Sequence, residues 1–331
     1  MNVNQTIKVL LERVQSPGVD RASIRLARLI FRRWGFLPSF FRSVLLSLWS
    51  TDPLGREKGL PEIDLAIVFA QKDAELVPAA VLAAVDSSSN PIKVVRLVTP
   101  NLETPIVRKS IEAVETASSR LNFSLEIYDD ASLLGPDRLR QLQHHQVPDR
   151  NLGWVTQQLL KLMSVLISSQ RATLIVDADT ILLRRRSWLA KDGRQILMAP
   201  EWYRSLWTED VERFLGLAKT LPFSFIAHHQ LMQKDLVEEL FGSDGQRLLD
   251  WALAARRRIA EYETYGTYLA EVHPERAVLA RFGNIEDPLR SVVASLSSRE
   301  GLLGLTKKYG PSCLSLSVHH YLEPGEPIRG G

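Results

Sequence analysis

The sequence predicts an α/β protein built on a mostly parallel, doubly wound sheet with flanking helices, preceded by an N-terminal helical extension. Three observations predict it. The apolar runs IDLAIVFA from Ile63, IKVVRLVT from Ile92 and TLIV from Thr173 have the length and β-branched content of buried strands. Between them lie helical patterns, and strands alternating with helices of about 10–15 residues make parallel sheets. Residues 1–60 follow another grammar, rich in arginine and aromatic residues at helical spacing. The 331 residues therefore divide into an extension, 1–60, and a main domain, 61–331.

In the extension, Arg21, Arg25, Arg28, Arg32, Arg33 and Arg42 occur without any acidic residue between positions 21 and 50. Trp34, Phe36, Phe40, Phe41 and Trp49 are interleaved with them, and the pattern breaks near Gly35 and Pro38. A basic face beside an aromatic one suits either packing on the main domain or peripheral contact with a membrane surface.

In the main domain, a helix is expected from Glu75 to Val85 after the first strand, with SSSNP as the turn into the second. A helix from Val107 to Ser119 then leads to a third strand, SLEIYDD, residues 124–130. Ligands bind such sheets at the carboxyl ends of the strands. FAQKDAEL places Lys72 and Asp73 there, where a base or ribose is commonly gripped. Neither Gly-x-Gly-x-x-Gly nor Gly-x-x-x-x-Gly-Lys-Ser/Thr follows the first strand, so a dinucleotide fingerprint and a P-loop are unsupported.

NLGWVTQQLLKLMSVLISS predicts a helix with Asn151 as its N-cap. Val155, Leu159, Leu162, Met163 and Leu166 form its core stripe. Trp154, Gln157, Gln158 and Lys161 form a second stripe, which suits a planar base, amide hydrogen bonds and a phosphate, or simply a partly buried tryptophan. RATLIVDADT follows, putting Asp177 at the carboxyl end of the next strand. In an extended chain residues i and i+2 share a side, so Asp177 and Asp179 can hold one ligand while Ala178 faces away. Adjacent carboxylates repel unless a cation lies between them, and Mg2+ or Mn2+ prefers such oxygens. Arg184, Arg185 and Arg186 follow, either as further charge for a phosphate or as a solvated loop.

The succession of KD after the first strand, GWVTQQLLKL and LIVDADTILL resembles bacterial glycosyltransferases of the GT-A type. Among them it is similar to a family of unassigned function with a later Glu-Tyr-Glu-x-Tyr-Gly motif, here Glu261 to Gly266. The resemblance covers about residues 62–322 and implies a GT-A-like, Rossmann-type sheet. It implies that Asp177 and Asp179 hold Mn2+ or Mg2+ on the diphosphate of a nucleotide-sugar donor. Lys72, Asp73, Trp154, Gln157, Gln158 and Lys161 would then frame the nucleotide. A downstream histidine often completes such a shell, and CLSLSVHHYL, strand-like to its end, offers His319 or His320.

The remaining candidates concern the acceptor. FSFIAHHQLM places His228 and His229 before an amphipathic helix; neighbours in sequence point apart, so one at most faces a pocket. Tyr262 and Tyr265 suit stacking on sugars, and Glu263, or else Glu261, suits the general base that takes the acceptor proton. The bland reading of the same segment is a helix terminus with tyrosines in the core. The implied acceptor is a surface-polysaccharide or other glycan, or a lipid-linked precursor.

Composition narrows the classes. The chain is 45% hydrophobic and 24% charged, ordinary for a globular protein. Its 41 basic and 38 acidic residues leave a net +3, which does not argue for nucleic acid. One cysteine, Cys313, excludes an intrachain disulfide or multi-cysteine metal site, fits a reducing compartment, and is expected to be an inert buried thiol. No signal-peptide pattern opens the chain and no run nears the roughly 18 apolar residues of a membrane span, so a cytoplasmic protein, peripheral at most to the inner membrane face, is expected. Three alternatives stand beside the transferase. A phosphatase with Asp-x-Asp lacks its usual Gly-Thr continuation and first-strand position, and a nucleotidyltransferase lacks its Gly-rich loop. A non-catalytic membrane-surface scaffold sits poorly with an intact Asp-Ala-Asp.

Overall fold

A computed structural model describes residues 54–55, 58–144, 152–200, 205–221, 223–254, 259–286, 296 and 299–318. The arginine-rich segment at 21–50, Asn151, His319 and His320 lie outside the described residues. In chain order the strands are β1 (Ile63–Val68), β2 (Ile92–Val98), β3 (Ser124–Tyr128), β4 (Ala172–Val176) and β5 (Thr180–Leu182). They continue with β6 (Gln195–Ala199), β7 (His229–Gln233), β8 (Ala277–Arg281), β9 (Asn284–Glu286) and β10 (Ser315–Ser317). The helices are α1 (Val77–Ser87), α2 (Pro105–Leu121), α3 (Asp130–Leu134), α4 (Pro136–His144) and α5 (Leu152–Leu166). After them come α6 (Ser205–Leu215), α7 (Lys234–Phe241), α8 (Gln246–Ala254), α9 (Glu261–Val272) and α10 (Arg299–Tyr309).

The central sheet runs β3-β2-β1-β4-β7, parallel except for β7, which is antiparallel to β4 at one edge. Period-two alternation feeds two cores. Ile63, Leu65 and Ile67 of β1, with Leu174 and Val176 of β4, face α1 and α2. Ala66, Val68 and Ile175 face α5, α7 and α9, where Leu159, Leu162, Leu236 and Leu269 are buried. A sheet covered on both sides requires continuous apolar runs, and those runs make it visible in the sequence.

Local chemistry sets the boundaries. The first helix starts at Val77, after a 3-10 turn over Gln71–Leu76, with Pro78 in its first turn where no intrahelical N–H is missed. Helix α2 opens on Pro105 and ends at Asn122, whose φ of 58° is the left-handed stop that asparagine tolerates. The third strand ends at Tyr128, two residues before the expected Asp130. Asp129 accepts from Ser132 N at 2.6 Å and its own N–H donates to Ser132 Oγ at 3.1 Å, a capping box that opens α3.

One charged group crosses the sheet's interior. Arg96 on β2 is 1% exposed and donates to Asp64 on β1 and to Glu126 on β3, each at 2.7 Å. Asp64 also accepts from Ser168 Oγ at 2.5 Å, behind α5, and from Val94 N at 3.2 Å.

Two small sheets complete the fold, β5-β10-β9 and β6-β8. Between β6 and β7 the stitching comes from glutamine amides: Gln195 Nε2 donates to Leu231 O at 2.8 Å, and Gln230 Nε2 to Ile196 O at 3.0 Å. Cys313 corrects its expectation. It is only half-buried, because it falls in the turn between α10 and β10 and not within the strand.

Candidate metal-binding site

Strand β4 stops at Val176 and the chain turns at once. Thr180 N donates to Asp177 O at 2.9 Å, so Asp177 to Thr180 is a turn and not the extended segment expected. The turn, with Ala178 buried, brings the two carboxylates together. Asp177 N donates to His228 O at 2.8 Å, which ties the turn to the start of β7. On its other side Val318 N donates to Asp179 O at 2.8 Å, and Thr180 and Ser317 join their hydroxyls at 3.1 Å.

Asp177, Asp179 and His228 each offer a ligand atom, and the three atoms lie within 4.8 Å of one another. Ligand oxygens stand about 2.0–2.6 Å from Mg2+ or Ca2+, so two of them on one ion are up to about 5 Å apart. Two carboxylates with one imidazole suit Mn2+ or Mg2+. The donor set fits a divalent cation.

Asp177 is the hub. Its Oδ1 receives Lys161 Nζ at 2.6 Å and the Tyr262 hydroxyl at 3.1 Å, while its Oδ2 lies 3.3 Å from His228 Nδ1. Lys161 also meets Glu261 Oε1 at 2.7 Å and lies 4.5 Å from the Tyr262 ring centre. Helix α5 thus supplies the cation, and the first turn of α9 supplies a carboxylate and a phenol. Burial pushes the Asp177 carboxyl up, but the Lys161 charge and the hydrogen bond and charge of His228 outweigh it and hold it well below the usual range. Burial works against a charged Lys161, yet Asp177 and Glu261 together raise its pKa. For His228, burial is outweighed by the hydrogen bond and charge of Asp177 and the charge of Asp179, and its pKa rises. Burial raises Glu261 and, further, Tyr262.

The other expected residues divide into groups. Gln157 Nε2 reaches Val68 O at 3.4 Å, the carboxyl end of β1, and Lys72 and Asp73 follow in the next turn, their charges 3.9 Å apart. Trp154 is half-buried, and Gln158, which is buried, donates to Trp154 O at 3.3 Å. Lys161 is committed to carboxylates. Glu263 lies in a separate, closed cluster: it pairs with buried Lys219 and accepts from Phe225 N at 2.7 Å and Ser224 Oγ at 3.0 Å. Burial lowers the Lys219 pKa against the charge of Glu263. Tyr265 is fully buried, donating to Gln195 Oε1 at 2.6 Å and accepting from Gln233 N at 2.8 Å.

The histidine doublet splits as alternation requires. His229 turns away from the carboxylates, 1% exposed, edge-on to Trp188 with ring centres 5.5 Å apart. Burial, then the Arg186 charge, depresses its pKa well below 6.5. Arg186 itself is buried over the Trp188 ring, and its backbone N–H donates to Ser87 O at 2.8 Å, whereas Arg184 is half-buried and Arg185 exposed, so the solvated-loop reading fails for Arg186 alone. A cavity of about 250 Å³ between α6, α8 and α9, lined by Val211, Phe214, Trp251, Ile259 and Thr264, contains none of the expected site residues.

Sequence reasoning missed that His228 joins the aspartates and that Glu261 and Tyr262 reach them across α9. No local signal could have found them, because the first depends on β7 pairing antiparallel with β4 and the second on where α9 docks.

No family model and no curated protein matches the chain. Among solved structures it aligns with galactosyltransferase LgtC in complex with donor and acceptor sugar analogues, at 12% identity and TM-score 0.41 over 77% of this chain and 87% of that one. It aligns with mouse xyloside xylosyltransferase 1, apo form, at 11% identity and TM-score 0.44 over 78% and 98%. A third alignment, with the mannosyltransferase Ktr4p from S. cerevisiae, has 7% identity and TM-score 0.42 over 80% of each chain.

Proposed function

We propose that the protein is a metal-dependent glycosyltransferase that moves a sugar from a nucleotide-diphosphate donor to a glycan or lipid-linked acceptor. The observation that carries this is the convergence of Asp177, Asp179 and His228 at the carboxyl end of β4, next to the middle of a doubly wound sheet. Lys161 is shared between Asp177 and Glu261, and the carboxylate oxygens of Asp177 and Asp179 beside the His228 imidazole make a donor set of the kind a divalent ion takes. A divalent ion bound there supplies Lewis-acid stabilisation of the departing nucleoside diphosphate.

In this reading the chain's own residues bind and orient. Asp179 and His228 hold the ion with Asp177 beside them, and His319 or His320, just after Val318, are further ligand candidates. Lys72, Asp73, Trp154 and Gln157 frame the base and ribose, while Gln158 steadies Trp154 through its carbonyl. Lys161 neutralises Asp177 and fixes its position, and Glu261 holds Lys161 in turn. Glu263, with both oxygens engaged, braces the segment before β7 in the arrangement seen here; as acceptor base it would first have to leave Lys219. Tyr262 stands on the metal side of α9 and Tyr265 on its core side.

The test is thermal stabilisation by a panel of nucleotide-sugars with and without Mn2+. A native-state ligand at 100-fold over its Kd adds about 2.7 kcal/mol. A shift with one donor class, present only with metal and absent in Asp179→Ala, is expected. An Asp179→Ala protein that responds as the wild type does would remove the metal from the reading.

A further inference from the structure

We propose that the cavity between α6, α8 and α9 is a lipid site, which takes one hydrocarbon chain and holds its phosphate head on Arg213 and Arg247. The proposal does not depend on the transferase reading, since none of the residues assigned to metal or donor lines this void. The cavity measures about 250 Å³. Native interiors are close-packed, and voids larger than a water molecule are few. Water is a poor occupant here, because an internal water needs roughly two to four polar partners. Val211, Trp251, Ile259 and Ala260 form a buried inner wall. Thr264 on that wall spends its hydroxyl on Ala260 O at 2.9 Å, and Asp210 turns its carboxylate to Arg213 at 2.6 Å. An apolar void of about 150 Å³ stays dry and takes benzene, so on that scale this one accommodates about ten carbons, a decyl chain.

The walls are braced and the mouth is charged. Phe214 stacks on Phe241 with ring centres 5.7 Å apart, and Trp251 stands edge-on to Phe241 at 5.4 Å, so both aromatic side chains of the lining are supported from behind. Exposure marks the mouth: Arg213 and Ala254 are exposed, whereas Val211 and Ile259 are buried. Arg213 keeps 45% of its side chain in solvent, and exposed Arg247 lies 5.8 Å from the centre of the Phe214 ring. Asp210 engages one nitrogen of Arg213, and a guanidinium has further N–H donors for a phosphate. Apolar depth below a cationic mouth is the chemistry of an anionic lipid, and the volume admits a single chain. The inner wall also leads into the proposed metal site. Ile259 and Ala260 run directly into Glu261 and Tyr262, which hold Lys161 and Asp177, so a chain in the void props that end of α9.

The experiment uses the whole chain, without metal or donor, and a series of n-alkyl phosphates kept below their micelle concentrations. Titration calorimetry is expected to show a single site per chain. Affinity should rise about fourfold with each added methylene and level off near a chain of about ten carbons. Decyl phosphate brominated at the chain end should quench tryptophan emission, and Trp251→Phe should remove most of that quenching. Val211→Phe fills the void and should abolish binding. Ala254→Trp, at the exposed end of α8, closes the mouth and serves if Val211→Phe does not fold. Arg213→Gln with Arg247→Gln should weaken decyl phosphate about 10–100-fold and bring it level with the neutral decyl glucoside. Affinity that keeps climbing with chain length, or that survives in both filling variants, would mean partition onto the surface and overturns the proposal. No binding at all overturns it too. So does a wild type that binds decyl glucoside, or inorganic phosphate, as tightly as decyl phosphate. With neither metal nor donor present, a failed nucleotide-sugar melt would sink the transferase reading and leave this result standing.

Discussion

At Glu263 both carboxylate oxygens are occupied, by Lys219 on one side and by Ser224 and Phe225 N on the other. Replacing it with glutamine leaves the Lys219 ammonium, 5% exposed as a residue, facing an amide. Breaking a buried pair from one side costs about 3–5 kcal/mol. Glu263→Gln should therefore lower the melting temperature sharply, and Lys219→Met with Glu263→Gln should recover part of it. Loss of activity with unchanged melting would instead return Glu263 to the role of base. The same accounting applies across the sheet. Asp64→Asn strips buried Arg96 of a fully buried partner and should cost about 3 kcal/mol or more in denaturant titration. Glu126→Gln, at 38% side-chain exposure, should cost about 0–1 kcal/mol. Equal losses would show that burial does not rank these two contacts. Asp177 and Asp179 could be read from the sequence because an apolar strand run ended in two carboxylates. The part His228 plays could not, because it depends on β7 lying antiparallel against β4, and no local pattern states a partner.

Helix α9 shows what an element's sequence does and does not disclose. Its tyrosines and glutamates looked like sugar-binding chemistry, yet Tyr262, Tyr265, Glu261 and Glu263 are all buried, and only the Glu261–Tyr262 end reaches the aspartates. The glycine that follows has a plain cause. A Cβ on Gly266 would stand 2.5 Å from Cβ and Cγ of Phe225, too close for any side chain without moving the neighbouring segment. Gly266→Ala should raise intrinsic helix propensity and still destabilise, by about 1–3 kcal/mol from overpacking. An alanine variant that melts no lower than the wild type would mean that Phe225 gives way freely. Strands β1, β2 and β4 and helices α2 and α5 were legible because each is long and strongly patterned. The short strands β5 and β9 and the two-stranded β6-β8 sheet were not, since three to five residues fit several environments equally well.

At the scale of the molecule, the candidate site is where three independent pieces of chain are held: the end of β4, the start of β7, and β10 returning beside β5. Stability and ligand affinity should therefore be coupled. Mn2+ with a bound donor is expected to protect the amides of Asp177, Thr180 and Val318 together in hydrogen exchange; protection confined to one of the three segments would argue against a shared site. The doubly wound fold class was legible from alternation, whereas the strand order and the return of β10 to the Asp-Ala-Asp turn were not, because the residues between them do not state where they dock. The antiparallel pairing of β7 with β4 has a practical consequence for mutagenesis. With two histidines in tandem, a slip of one residue would carry His229 into the position of His228, and a His228 variant would then repair itself. The glutamines forbid it: Gln230 and Gln233 of β7 hold Ile196 O and Gly193 O through their amides, and a slip would turn them onto the opposite face. The doublet therefore carries no spare copy: on the proposed reading a His228 variant should lose Mn2+ binding while keeping its melting temperature, and a variant at His229, buried against Trp188, should lose stability instead.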